Sequence, residues 1–159
     1  TGAKIEVVVT KEGLRIELIE TGAGETFFPV GSTQMKPAAA IALGLIAPAL
    51  QELPNQIVLE GHTDAISYGS TRQYTNWELS TERANAARRL LEGAGIPVPR
   101  IAEVRGYADR QLRVPDDPTS PANRRISLLL PYNTKLDEVT PENPTPTPAA
   151  TGAEQSPKS

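Results

Sequence analysis

Apolar residues recur along this chain with two periods, and each period marks a type of element. Ile5 to Val9 is a β-branched apolar run, Lys11-Glu12-Gly13 interrupts it, and Leu14-Arg15-Ile16-Glu17-Leu18 alternates with period two. Two such runs around a short glycine turn predict a β-hairpin, with Leu14, Ile16 and Leu18 facing the core and Arg15 and Glu17 facing water. Phe27-Phe28-Pro29 reads as an extended plug, because the residue before a proline avoids the α region. Ala38 to Leu50 is apolar nearly all round and has Pro37 in position for a first helical turn, so a helix is predicted to about Leu53, kinked or divided at Pro48. Such a helix is either deeply buried or partly an association surface. Ile57-Val58-Leu59 is apolar on both faces, as in an interior strand, and Gly61 breaks its pattern. Ile101 to Gly106 and Ile126 to Leu130 predict two more strands.

The helical period is clearest after Thr75. Thr75 and Glu78 form an S/T-x-x-E capping box, which starts a helix near Asn76, and Gly93-Ala94-Gly95 followed by Pro97 ends it. At 100° per residue with Leu79 at zero, Ala86, Leu90, Ala87, Leu91, Ala84 and Trp77 fill an arc from about 340° to about 160°. Arg83 lands at about 40°, inside that apolar arc. A guanidinium cannot shed its proton to escape burial, so it must snorkel or meet an acceptor. Leaving a buried charge without a partner costs on the order of 3–5 kcal/mol.

Length and composition narrow the picture. The chain has 159 residues, enough for one domain with a real core, predicted over residues 1–133. From Thr134 on it is proline, threonine, alanine and charge, which predicts a disordered tail over residues 134–159. There is no cysteine, and 16 basic residues against 19 acidic ones form no basic stripe, so nucleic acid is not an expected partner. Ala38 to Leu50 is too short to span a bilayer, and no signal peptide is visible ahead of the first strand.

Three constellations could carry chemistry. Glu60, His62 and Asp64 fall at i, i+2, i+4 on one strand face, a spacing that could chelate a metal, but the chain has a single histidine and no further ligand pattern. There is no G-x-S-x-G elbow, cysteine nucleophile or H-E-x-x-H helix, so neither catalysis nor a metal is expected. The third is a charged cleft. Asp64 lies at the carboxyl end of a strand, where α/β sheets hold their ligands, and Asn76 and Arg83 lie on the helix that follows. A carboxylate and a guanidinium across a cleft suit a zwitterion, with Asp64 taking an ammonium and Arg83 a carboxylate. An Asp64–Arg83 salt bridge that merely fixes the helix on the sheet fits the same pattern, and charge alone leaves both open.

Four ordered motifs carry a resemblance. Gly61-His62-Thr63-Asp64, the N-x-x-L-S-x-x-R-A run from Asn76 to Ala84, Gly106-Tyr107-Ala108-Asp109 and Asn123-Arg124-Arg125 resemble the OmpA-like peptidoglycan-binding domain, over Phe27 to Leu130. More narrowly, E-G-L-R-I-E-L-I, Y-T-N-W-E-L-S-T-E-R-A-N-A-A-R-R and N-R-R-I-S-L-L-L resemble the MotB-like, flagellar-stator branch of that family. The resemblance implies an α/β two-layer sandwich, a mixed sheet with helices packed on one face. It implies non-covalent binding of the diaminopimelate of a cell-wall stem peptide, without cofactor or metal. Asp64 would meet the diaminopimelate amine and Arg83 its carboxylate, with Thr63, Asn76, Arg124 and Arg125 completing the wall. Val30 stands where several relatives carry Asn or Asp. The resemblance further implies a periplasmic domain of an inner-membrane protein, a homodimer, and a MotA-like stator subunit met through a membrane helix absent from this sequence.

Overall fold

The computed structural model describes residues 3–22, 27–29, 32–66 and 73–132. The tail and Val30 lie outside these residues. Five strands form one mixed sheet: β1 (Ala3–Val9), β2 (Gly13–Glu20), β3 (Ile57–His62), β4 (Ile101–Gly106) and β5 (Arg125–Pro131). Two helices, α1 (Pro37–Gln51) and α2 (Asn76–Gly93), complete an α/β sandwich. The strand order is β1-β2-β5-β3-β4; only β3 and β4 run parallel, joined by α2, and every other pair is antiparallel.

The register explains the core. Leu14, Ile16 and Leu18 of β2 lie opposite Leu130, Leu128 and Ile126 of β5, and Leu59 of β3 lies opposite Leu128. These rows, with Ile57, pack under Ala39, Leu43, Ala47 and Leu50 of α1 and Ala84, Ala87 and Leu91 of α2. The buried Phe27 and Phe28 join the same cluster, as the plug reading expects. Successive strand side chains point to opposite faces, so the other face carries Arg15, Glu17, Ser127, Glu60, Arg125 and His62. It is less watery than the hairpin pattern suggests. Glu60 is 1 % exposed and held by both Arg15 and Arg105, and Arg113 joins Glu6 to Glu17.

Local expectations are corrected in three places. α1 runs through Pro48 as one helix and ends at Gln51. Gly61 does not break β3; it pairs with Gly106 and Ile126 inside the sheet. Its lack of a side chain serves packing, since a Cβ there would sit 2.0 Å from the Ser80 carbonyl oxygen, and one at Gly106 would sit 1.9 Å from the Thr81 hydroxyl. The two glycines let α2 press onto β3 and β4. Trp77, placed in the apolar arc of the helix, is instead 46 % exposed. The capping box forms as read, with the Thr75 amide donating to Glu78 at 2.6 Å.

Candidate functional site: a buried charge cluster at one end of the sheet

Topology gathers the site at one end of the sheet. β2 and β3 end there and β5 begins there, so Glu20, Asp64 and Arg124 converge from positions far apart in sequence. Asp64 is fully buried, two residues past β3. One of its oxygens accepts from the Ile66 amide at 3.0 Å and the other from Arg124 at 2.9 Å. The Thr63 hydroxyl donates to the Asp64 carbonyl, and the Thr63 amide donates to the Ala108 carbonyl, tying the turn after β3 to the turn after β4. Asn76, in the first turn of α2, donates to the carbonyls of Asp64 and Ile66, at 3.4 and 3.0 Å.

Arg83 is 4 % exposed, as its place in the apolar arc requires. Its Nε donates to the Ser32 carbonyl at 2.9 Å and an Nη to the Pro29 carbonyl at 3.3 Å, while the guanidinium lies 4.9 Å above the Phe28 ring. Backbone carbonyls and an aromatic face thus offset the cost of taking this charge out of water. The arginine that pairs with Asp64 is Arg124, not Arg83, so the simple strand-to-helix salt bridge gives way to a different arrangement. Arg124 is clasped on both sides, by Asp64 and, at 2.5 Å, by Glu20. Arg125 faces the opposite side of the sheet, where it donates to the Gln111 and Asn123 carbonyls and lies 3.6 Å from Glu17.

A recess opens among these groups, lined by Glu20, Phe27, Phe28, His62, Arg83, Arg124, Arg125 and Ile126. It brings Arg83 and Arg124 together and touches Arg125, whose guanidinium faces the other side of the sheet; Thr63, Asp64 and Asn76 build the adjoining turn instead. Its cavity volume is about 10 Å³, room for about one water. His62 is buried with its ring stacked on Tyr107 at 5.0 Å. Burial, with the charges of Arg125 and Arg15 behind it, lowers the His62 pKa to about 3, so the ring is neutral at neutral pH.

Glu20 is the residue that sequence reading missed. It is buried, accepts from the Phe27 amide at 2.9 Å, and pairs with Arg124. It ends an alternating strand, where a glutamate is usually a solvated face residue. The available signal was the count of arginines at the far end of the chain, which needs more than one buried carboxylate.

The model of the OmpA family matches residues 27–126. This chain belongs to the OmpA family. It is 39 % identical over 127 residues to Motility protein B of Escherichia coli K12, across 79 % of this chain and 41 % of that protein. It therefore spans about two fifths of that relative's length. It is 35 % identical over 103 residues to the peptidoglycan-associated lipoprotein of Pseudomonas putida, across 64 % of this chain and 60 % of that one. Its fold matches the crystal structure of the periplasmic domain of Helicobacter pylori MotB with a TM-score of 0.70 at 19 % identity, covering 84 % of this chain and 93 % of that one. The mixed sheet with helices on one face is the fold of that family.

Proposed function

We propose that this OmpA-family domain binds peptidoglycan without covalent chemistry, gripping the diaminopimelate of a stem peptide, and that its full-length protein thereby anchors a flagellar stator to the cell wall. The observation that carries this reading is the buried guanidinium of Arg83 beside the Glu20–Arg124–Asp64 cluster, in a family frame whose relatives include a peptidoglycan-associated protein. Arg83 supplies a planar donor fork suited to a carboxylate, and Asp64 a carboxylate suited to an ammonium. Thr63 and Asn76 hold the Asp64 turn, and Arg124 adds positive charge beside the recess, whereas the Arg125 guanidinium, a further wall residue implied by the resemblance, faces the other side of the sheet. Because the recess holds about one water, ligand entry exchanges the Ser32 and Pro29 carbonyls on Arg83 for the ligand carboxylate.

The further parts of the reading follow the same relatives. The domain works in the periplasm, attached to an inner-membrane protein whose membrane helix meets a MotA-like subunit. The binding domain is residues 1–133; residues 134–159 lie outside the described residues. The protein pairs as a homodimer, for which exposed Ile41 and Leu45 of α1 and Ile5, Val7 and Val9 of β1 offer apolar surface. It is a binding protein and not an enzyme.

Sedimentation with purified sacculi tests the core of this reading. Wild type co-sediments, and folded Arg83→Ala remains in the supernatant; equal co-sedimentation would remove Arg83 from the site. Release of soluble sugars or peptides from the sacculi would replace binding with catalysis. The similarity to the peptidoglycan-associated lipoprotein supports a second reading, an envelope tether with no motor role. A gene deletion separates the two: loss of swimming favours the stator, whereas a motile strain with a fragile envelope favours the tether.

A further inference from the structure

Trp77 is the sole tryptophan of the chain, and it is 46 % exposed on the first turn of α2. An exposed indole forgoes the burial that its large apolar area would otherwise gain. It also fills no part of the core that positions the recess. Trp77, Glu78, Thr81 and Glu82 line a shallow, open groove of about 290 Å³. The Arg110 guanidinium lies 5.7 Å from the indole centroid and steadies it. Glu78 is fixed by the capping box, and Glu82 gives one oxygen to the Tyr74 hydroxyl at 3.0 Å.

We infer that this groove is a second subsite, which takes a sugar ring of the glycan strand; the inference rests on the peptidoglycan reading above. The chemistry of the groove selects that occupant. Glu78 and Glu82 outweigh the one guanidinium of Arg110, and the net negative charge disfavours anionic lipid and nucleic acid. An uncharged pyranose ring presents C–H groups to the indole face and hydroxyl donors to the carboxylates. Placement agrees with this. Trp77 and Arg83 are six residues apart on α2, about 9 Å along the axis and about 120° around it. At side-chain radius the straight-line separation is about 13 Å, which an extended peptide of about four residues covers. One sugar and the stem peptide attached to it can therefore reach both subsites on adjacent sides of one helix. Asn76, the residue before Trp77, also anchors the Asp64 turn, so the two subsites share a rigid support.

The single tryptophan makes the test direct. The full chain is titrated with N-acetylglucosamine oligomers and with peptide-free glycan strands while Trp77 fluorescence is followed, and the emission is expected to shift and saturate. Trp77→Ala is expected to weaken sacculus binding about fivefold while affinity for a free diaminopimelate-containing peptide stays at the wild-type value. Trp77→Phe is expected to recover part of the loss. Unmoved fluorescence together with wild-type sacculus binding by Trp77→Ala would overturn the glycan subsite, as would a change of oligomeric state in Trp77→Ala with no response to glycan. If wild type answers to glycan but binds no diaminopimelate peptide, the pocket reading falls and the groove stands. If it binds the peptide but no glycan, only the groove falls.

Discussion

Arg83 and Asp64 are both nearly sealed from solvent, yet Asp64 pairs with Arg124 while Arg83 donates to the Ser32 and Pro29 carbonyls. Glu20 and Asp64 hold Arg124 between them, so the Glu20 carboxylate helps to position the guanidinium that meets Asp64. Glu20→Gln keeps an acceptor for the Phe27 amide but removes the charge facing Arg124. It is expected to lower stability by about 1–3 kcal/mol in urea melts, and to weaken sacculus binding in the same preparation. His62 supplies a pH dependence whose sign is fixed. Its pKa is about 3 in the fold, against about 6.5 in the unfolded chain. Between those values the unfolded state binds more protons, so stability rises with pH, is complete above the unfolded pKa and is lost on acidification. The slope approaches about 1.4 kcal/mol per pH unit between about pH 6 and pH 4. Urea midpoints measured across that range are expected to fall less steeply in His62→Gln than in wild type.

At the scale of elements, α2 carries Asn76 and Arg83, and three features hold it in place. The first is its cap. Thr75→Ala removes the acceptor for the Trp77 amide and the hydroxyl bound by Glu78, and is expected to cost about 1 kcal/mol, read as a lower melting temperature. The second is close approach to the sheet. Gly61→Ala drives a methyl group into the Ser80 carbonyl, backbone against backbone, where no side chain can swing aside. Its cost is expected at or beyond the upper end of about 1–3 kcal/mol, with peptidoglycan binding lost as α2 lifts from β3. Thermal melts and sacculus sedimentation check both. The Ser80 hydroxyl adds a third link by accepting from the Ala108 amide, which holds the turn after β4 against α2. Ala108 itself has a φ of 52°, a conformation such a link helps to hold.

For the whole molecule, the sheet has one face under helices and one under a lattice of ion pairs, so its apolar surplus emerges at the sides. β1 is an edge strand with Ile5, Val7 and Val9 uncovered, and Leu45 of α1 is 76 % exposed. Edge strands and apolar patches of this kind favour association. If the proposed homodimer uses this surface, Leu45→Glu shifts the protein toward monomer in sedimentation velocity without altering its melting temperature, because the side chain contributes nothing to the core. No helix among the described residues is long and apolar enough to cross a membrane.

Much of this architecture was legible one residue at a time. Period two in Leu14-Arg15-Ile16-Glu17-Leu18 fixes which side of β2 is apolar, the Thr75–Glu78 box fixes where α2 starts, and the arc position of Arg83 fixes that it is buried. These are local properties, set by backbone geometry over a few residues. The partners were not legible. Arg124 meets Glu20 across 104 residues and Asp64 across 60, and the Ser32 and Pro29 carbonyls reach Arg83 across more than 50. Trp77 fell in the apolar arc by angle, yet no element of the sheet reaches far enough to cover it. Local pattern was enough for the strands, the capped helix and the buried charge. The acceptors around that charge came only with folding, because strand order, not spacing along the chain, brings distant side chains together.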